Sequence, residues 1–598
     1  MVNTKEESNS KVMKNNLKKL LEIALIKIGK DNGIDLSNKK ISIQENKEKD
    51  HGDYASNLAM VIAKDLSQSP KVVAEKITSV IPTEKWIERI DIAGPGFINF
   101  YLKKDTHNEV LLRIEESGKS FGTSKLGNGG KILIEYVSSN PTGPLHVGHG
   151  RGAAFGSVLS KLLRTVGYEV DEEYYVNDHG RQMNILTIST WLRYLQKNGL
   201  KLEFSKKGYQ GEYVEKLAQN LLKDKKEKYT LKENKSELLE LLHSQETEED
   251  LDKLIEWGKL FLKENFEEIR EFSLKSIMSS IKEDLRLFGV DHNLWFNESS
   301  MYSSKDSSQP SVDKSIKLLN ESGFLYEKEN ALWFKSTEFG DDKDRVVRRA
   351  NGDNTYFASD ISYHLDKYDR GYNRIINIWG ADHHGYLPRV SAAMEALGKT
   401  KNKLETVFIQ FANLVRNGEK VSMSTRGGEF ISLAELIEEV SSEAARFFYI
   451  NRKADQHLDF DLELAKSQTK NNPLYYIQYA HARICGVFEA IKKEEELFNH
   501  DLGVGNLDLL NLDKEIEIEK MLLQYPEIVS RAAKHSEPHL ICYYLKDLSS
   551  LFHSYYNSER FLVDDHKLMN ARLFLLKGTK QVIANGLEVL GIDAPESM

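Results

Sequence analysis

Apolar and polar positions along this chain change period several times, and each change marks an element. From Leu17 to Ile28 the apolar residues recur at helical spacing, and DIAGPGFINFYL (Asp91–Leu102) reads as strand, tight turn, strand. Residues 1 to about 105 are therefore expected to form a separate α+β unit. After a polar, glycine-rich linker comes KILIEYVSS, a mostly apolar run of strand length suited to a buried parallel strand. The turn NPTGP and a helical stretch, GRGAAFGSVLSKLLRTVGY, follow, and EVDEEYYVND then leads into another helix. NRIINIWGADHH and ETVFIQFANLV read as two further strands separated by a helix. This alternation predicts a multidomain α/β protein with a doubly wound, Rossmann-like parallel sheet over about 125–430. A charged helical insertion at about 197–285 interrupts the sheet, and its lysine- and glutamate-rich runs form a solvated helix face.

Local signals refine the second half. Asn417-Gly418 lies between alternating residues and fits a type I′ hairpin turn. Ser432 with Glu435 forms a capping box that opens a helix, within a connecting helical region at 431–470. Pro473 suits a first helical position, and Leu474, Ile477, Ile484, Val487 and Ile491 make an apolar stripe. Residues 471–598 are expected to form an all-α domain. In the linker, Gly118-Lys119-Ser120 resembles the end of a phosphate-binding loop. The leading glycine of that pattern is Arg113, so Gly118 reads as a helix C-cap.

Composition narrows the field. A chain of 598 residues implies three or four domains. With 82 basic and 91 acidic residues, the net charge of −9 argues against coating nucleic acid by bulk charge but allows a local basic face. No window approaches the roughly 20 apolar residues of a membrane span. The polar start MVNTKEESNSKVMKNN has no secretory core, so a cytoplasmic location away from membranes is expected. Cys485 and Cys542 are too few for a disulfide framework and lack zinc-site spacing, which leaves them as buried thiols in helices.

The stretch SSNPTGPLHVGHGRG places His146 and His149 where a helix begins after a strand. Such a helix start offers free backbone N–H groups and the positive dipole end. Spacing of three puts both rings on one side of the first turn, and Gly148 lets a flat ring approach the backbone. Two donors there suit charge building on a phosphate during adenylyl transfer; a metal pair or a plain structural helix start are the alternatives.

At this point the sequence resembles a known family. NPTGPLHVGH resembles the HIGH motif of class I aminoacyl-tRNA synthetases, and IEYVSSNPTGPLHVGHGRG resembles the arginyl-tRNA synthetases in particular. HGDYASNLAM, GYQGEYVEKLA, TYFASDISYH, WGADHHGY, MSTRGGEF, NNPLYYIQYAHARI and LGIDAPESM agree in family order across nearly the whole chain. The resemblance implies ATP-dependent activation of L-arginine and transfer to the 3′-terminal adenosine of tRNA(Arg). ATP and Mg2+ are the implied cofactors, and a monomer is the expected state. It implies a guanidinium pocket from Glu135, Tyr356 and Asp360, with Asn140 and Ser138 or Ser139 at the α-amino and carboxylate end. A carboxylate meets a guanidinium with two parallel charge-assisted bonds. Asp382 would take the ribose hydroxyls, and His383 or His384 the nucleotide or substrate; a bare Asp-His-His also admits a metal reading.

The second family signature, a lysine-rich loop that neutralises departing pyrophosphate, appears here as Ser422-Met423-Ser424-Thr425-Arg426. Both lysines are missing. The lysine that some members carry just before the HIGH motif falls at Gly143. Arg426 becomes the first candidate cation, with Arg151 and Lys420 behind it; Ser424 and Met423 complete the loop's expected contacts. In the helical domain, resembling the family's anticodon-binding domain, Tyr475, Tyr479 and Arg483 recur every four residues and would stack on unpaired bases or serve as core. The N-terminal unit resembles the family's added domain, which touches the tRNA elbow. A different adenylyl-transfer enzyme, or a catalytically silent synthetase-like tRNA-binding protein, is the rival reading.

Overall fold

The computed structural model describes residues 9–46, 51–84, 86–102, 105–231, 234–243, 247–302, 311–421, 431–493 and 498–598. Its centre is a five-stranded parallel sheet. Strand β1 (Lys131–Glu135) leads into helix α1 (Val147–Thr165), β2 (Glu169–Val176), β3 (Leu294–Asn297), helix α2 (Tyr356–Asp369), β4 (Arg374–Gly380) and β5 (Leu404–Ile409). The spatial order is β5-β4-β1-β2-β3. The order in which strands are added reverses between β1 and β4, which opens a crevice beyond their carboxyl ends where doubly wound sheets take ligands. The register sets Glu135, the last residue of β1, opposite Asn377, and β4 runs on to Gly380 beyond it.

The run that reads as a buried strand is one: Ile132, Leu133 and Ile134 are fully buried. Between β2 and β3 stand five helices, Arg181–Lys197, Glu212–Lys225, Lys235–His243, Glu248–Leu262 and Glu264–Leu287. The insertion thus begins earlier than the charge pattern suggests. The first of these helices carries Ile188 and Trp191 into the cluster that Leu221, Leu254 and Phe266 complete. Between β3 and α2 lies a three-stranded antiparallel sheet over 325–348, which sequence pattern does not reveal.

The Asn417-Gly418 turn closes Ala412–Arg416 onto Glu419–Lys420, with φ of +52° and +82° as a type I′ turn requires. Leu458–Asp461 adds in parallel to Ala412–Arg416, so the 431–470 region is not purely helical. Ser432 and Glu435 cap each other as expected. Gly118 follows helix Asp105–Ser117 at φ +52°, a C-cap geometry.

The N-terminal unit is a four-stranded antiparallel sheet packed on Asn9–Asn32, Leu58–Ile62 and Pro70–Val80, with its own apolar core. It docks on the C-terminal helices through Lys14–Glu527 (3.2 Å) and Lys520–Asp53. The C-terminal domain begins with Pro473–Lys493, capped by Asn472, and holds both cysteines buried and free. No helix among the described residues is long and apolar enough to cross a membrane.

Arg446, 1% exposed, binds these parts together. Its guanidinium donates to the Phe288 carbonyl at the end of the insertion (2.9 Å), to Ser157 on α1 (2.9 Å) and to Leu590 near the C-terminus (3.1 Å). Arg446→Ala leaves a cavity and takes the donor from four acceptors, the carbonyls of Phe288, Gly289 and Leu590 and the Ser157 hydroxyl, so unfolding free energy falls by about 3 kcal/mol or more. Denaturant titration of the variant checks this, and a loss under about 1 kcal/mol contradicts it.

Candidate active site

Beyond β1 the backbone turns back sharply. Val137 and Ser138 hold φ of +69° and +42°, a left-handed geometry rare for a β-branched residue. The reversal lets Ser138 Oγ donate to Glu135 Oε1 (2.8 Å) and accept from the Tyr175 N–H (3.1 Å). The chain then crosses the crevice through Ser139 and Asn140 and enters α1 at His146.

His146 is the N-cap. Its Nδ1 accepts the Gly148 N–H (3.1 Å), while Nδ1 of His149 accepts the His146 N–H (3.2 Å). The rings lie 3.8 Å apart. Val147 N–H donates to the Ile431 carbonyl. The free amides expected at this helix start are therefore engaged, and the anion-binding capacity passes to the imidazoles. With Nδ1 accepting, each neutral ring carries its proton on Nε2. Burial lowers the His146 pKa; for His149, burial and then the neighbouring His146 lower it to about 3. Both rings are thus neutral N–H donors near pH 7, a donor set that suits phosphate oxygens rather than a metal.

A cavity of about 940 Å³ opens in front of them. Ser138, Ser139, Asn140, His146, Gly148, His149, Asp382 and His383 line it, joined by Arg181, Lys206 and Lys207 from the insertion. His384 stacks on Phe408 (3.6 Å) and is not part of the wall. Lys420 is exposed on its hairpin and also stands outside it. Met423, Ser424 and Arg426 lie outside the described residues.

Arg151 is not the pyrophosphate cation that its place in sequence suggests. It is 2% exposed, and its guanidinium donates to the carbonyls of Gln410 (2.7 Å), Gln456 (2.8 Å) and Lys453 (2.7 Å). It joins α1 to the connecting region.

One side-chain layer behind Ser138 lies an acidic cluster. Glu135 is buried, and Oε2 accepts from Lys367, a lysine with no exposed surface that also donates to Asn377 (2.8 Å). Glu135 is therefore already neutralised within the protein. Asp360, partly buried, accepts from the Tyr386 hydroxyl, and Glu298 (3% exposed) lies within 2.6 Å of the Asn177 amide. Neither makes an ion pair with a described residue. Loss of hydration pushes both up to about 7, with Glu135 adding to Asp360, and Asp360 and Asp178 adding to Glu298. The Tyr175 hydroxyl stands among all three carboxyls. Tyr356, one turn before Asp360, is 57% exposed, at the rim rather than inside. Sequence reasoning missed Glu298 and Lys367: a lone glutamate after a four-residue strand carries no local signal. Lys367 shares a helix face with Asp360 and His364, a spacing that offers a weak one.

In the C-terminal domain Tyr475 and Tyr479 stack at 5.7 Å, and Arg483 lies over Tyr479 (4.5 Å) and Tyr556 (4.7 Å). All three predicted residues are partly exposed along one helix face.

Residues 113–469 match the family described as tRNA synthetases class I (R), catalytic domain. The chain belongs to the class I arginyl-tRNA synthetases. Residues 15–102 of this synthetase match the arginyl tRNA synthetase N terminal domain, and 477–598 the DALR anticodon binding domain. Among its relatives, the arginine–tRNA ligase of Legionella pneumophila (strain Paris) is 47% identical over 94% of this chain and 95% of its own. That of Thioalkalivibrio sulfidiphilus is 46% identical over 98% and 100%. A crystal structure of a putative arginyl tRNA synthetase from Campylobacter jejuni superposes with a TM-score of 0.70 at 32% identity, covering 83% of this chain and all of that one. Thermus thermophilus arginyl-tRNA synthetase shares the fold, with a TM-score of 0.68 at 22% identity over 98% and 100%. This synthetase is an arginine–tRNA ligase, with arginine, ATP and tRNA(Arg) as substrates.

The imidazole arrangement is directly testable in the synthetase. A Cβ at Gly148 would stand 2.8 Å from His146 Cε1 and 2.9 Å from Nδ1. Gly148→Ala therefore displaces the His146 ring, and arginine-dependent pyrophosphate exchange, measured with tRNA present, falls by about tenfold or more. An exchange rate equal to that of the parent enzyme contradicts this role.

Proposed function

We propose that the cavity before α1 holds ATP and that the acidic cluster behind Ser138 receives the arginine side chain. His146 and His149 give Nε2–H bonds to phosphate oxygens as charge develops on them, without exchanging protons. Asp382 meets the ribose, and Ser139 and Asn140 hold the α-amino and carboxylate end. The arginine carboxylate attacks the α-phosphorus, pyrophosphate leaves, and the arginyl group then passes to the 2′-OH of the terminal adenosine.

The observation that carries this reading is the unbalanced charge. Lys367 neutralises Glu135, whereas Asp360 and Glu298 have no ion-pair partner among the described residues. A planar guanidinium brings one positive charge to this pair and enough N–H donors to reach both carboxyls. Tyr356 closes the rim. Of the described carboxylates in the cavity wall, Glu248 is held by Arg181 (3.0 Å) and Asp382 alone is left, too few to hold magnesium. Magnesium is accordingly part of the substrate, carried with ATP. Tyr475, Tyr479 and Arg483 offer stacking planes for unpaired anticodon bases. The enzyme acts as a monomer in the cytoplasm.

Two measurements test the assignment. His149→Ala lowers turnover in pyrophosphate exchange by about tenfold or more while the KM for arginine changes little. A loss confined to arginine affinity would refute the phosphate role.

The second follows from proton linkage. Asp360 and Glu298 sit near 7 in the free enzyme, and a guanidinium favours their ionised forms, so docking arginine drives protons off. Arginine affinity weakens as pH falls below about 7, by up to about tenfold per unit for each carboxyl that must ionise. Calorimetry in buffers of differing ionisation enthalpy reports the released protons. Equal affinity at about pH 8 and about pH 6, with no proton release, would remove both carboxyls from the pocket.

A further inference from the structure

The sequence lacks lysines in the signature loop, and the position before the HIGH motif where relatives place one is Gly143. The structure explains the second vacancy. A Cβ at Gly143 would stand 3.1 Å from the Tyr213 ring and 3.2 Å from its hydroxyl. Tyr213 comes from the insertion and occupies the corner a longer side chain would need.

The same stretch of insertion brings other groups to the cavity. Ser205–Gly208 forms a tight turn, closed by the Gly208 N–H on the Ser205 carbonyl (3.1 Å). The Gln210 amide donates to the carbonyls of Ser205 (2.6 Å) and Gly208 (3.1 Å), and the Tyr209 N–H donates to Ser189 Oγ (3.1 Å) on the buried helix beneath. The turn is therefore pinned, and its two tip residues are Lys206 and Lys207. Both line the cavity that His146, Gly148, His149 and Asp382 also line.

The other cation of this wall is already engaged. Arg181 pairs with Asp252 (2.6 Å) and Glu248 (3.0 Å). Lys207 approaches Glu248 only at 3.9 Å, and Lys206 makes no ion pair with a described residue.

We propose that Lys206 and Lys207 supply the positive charge for the β- and γ-phosphates of ATP, in place of the lysines missing from the signature loop. The inference rests on reading this cavity as the nucleotide site. As an arginine carboxylate oxygen bonds the α-phosphorus, the bond from that phosphorus to the bridging oxygen breaks, and pyrophosphate departs with the electron pair. The two ammonium groups remain protonated throughout; they offset the charge gathering on the leaving group. The pinned turn fixes where the two side chains leave the backbone, and their flexible stems carry the charge to the phosphates.

The test compares the Lys206→Ala/Lys207→Ala double variant, the Lys206→Arg/Lys207→Arg double variant and His149→Ala in tRNA-dependent pyrophosphate exchange. Both lysine side chains are exposed and take no part in the turn's hydrogen bonds, so the fold is retained, and the thermal midpoint verifies this. The alanine variant is expected to lose about tenfold or more in kcat/KM for ATP, with the KM for arginine unchanged and most activity kept by the arginine variant. Parent-like kcat/KM for ATP in the alanine variant, beside a damaged His149→Ala, overturns the lysine proposal alone. No effect in either overturns the nucleotide site as well. A change confined to the KM for tRNA assigns the lysines to phosphates of the acceptor end and also overturns the proposal.

Discussion

Helix α2 is held against the sheet by ion pairs to two buried carboxylates. Glu135 ends β1 and Glu173 lies in β2, both buried; α2 supplies Lys367 to the first and Tyr363 to the second, and Arg370 just beyond it pairs with Glu173 at 2.5 Å. A buried carboxylate stripped of its partner costs about 3–5 kcal/mol, so these pairs fix the rotation and height of the helix. Asp360 lies seven residues before Lys367, two helical turns away, and its place is set by the same pairing. It comes to rest beside Tyr175 and within the field of Glu298. The fold thus neutralises Glu135 and Glu173 and leaves Asp360 and Glu298 beside them without an ion pair to a described residue. On the placement of the arginine side chain proposed above, specificity for a guanidinium would follow from that remainder, since a neutral side chain of similar length would leave both carboxyls unpaired.

This division also explains what the sequence revealed and what it hid. KILIE has the unbroken apolar run of a strand covered on both faces, and Asn417-Gly418 and Ser432/Glu435 encode their turn and cap within four residues. The imidazole pair was legible for the same reason, because its chemistry is local to one helix start. The pairing of Glu135 with Lys367 leaves no trace in the sequence, because the two lie 232 residues apart. The strands at 325–348 escaped notice because their burial is partial, so they lack the alternation that marks a half-buried strand. The left-handed Val137 and Ser138 were equally hidden. Nothing in a valine announces positive φ, and tertiary contacts around Ser138 impose it.

Helix α1 ties the reaction to the rest of the molecule. Its first turn presents the two rings; Arg151, on the next turn, is enclosed by carbonyls of the connecting region, and the Tyr449 hydroxyl donates to the Val147 carbonyl (2.7 Å). Ser157, further along, receives Arg446, which also grips the ends of the insertion and of the C-terminal helix. Each contact is a buried guanidinium or hydroxyl on a main-chain or hydroxyl acceptor, and such bonds cannot slide without orphaning a polar group. A shift of the helical domain that binds the anticodon must therefore move α1 or break these bonds. The rings at its leading edge are the part of the active site most rigidly joined to the domain farthest along the chain. The cations of the insertion turn approach from the other wall and rest on a separate apolar cluster. The imidazole pair and the insertion lysines thus stand on facing walls of one cavity, while the helices that carry them share the apolar core beneath it.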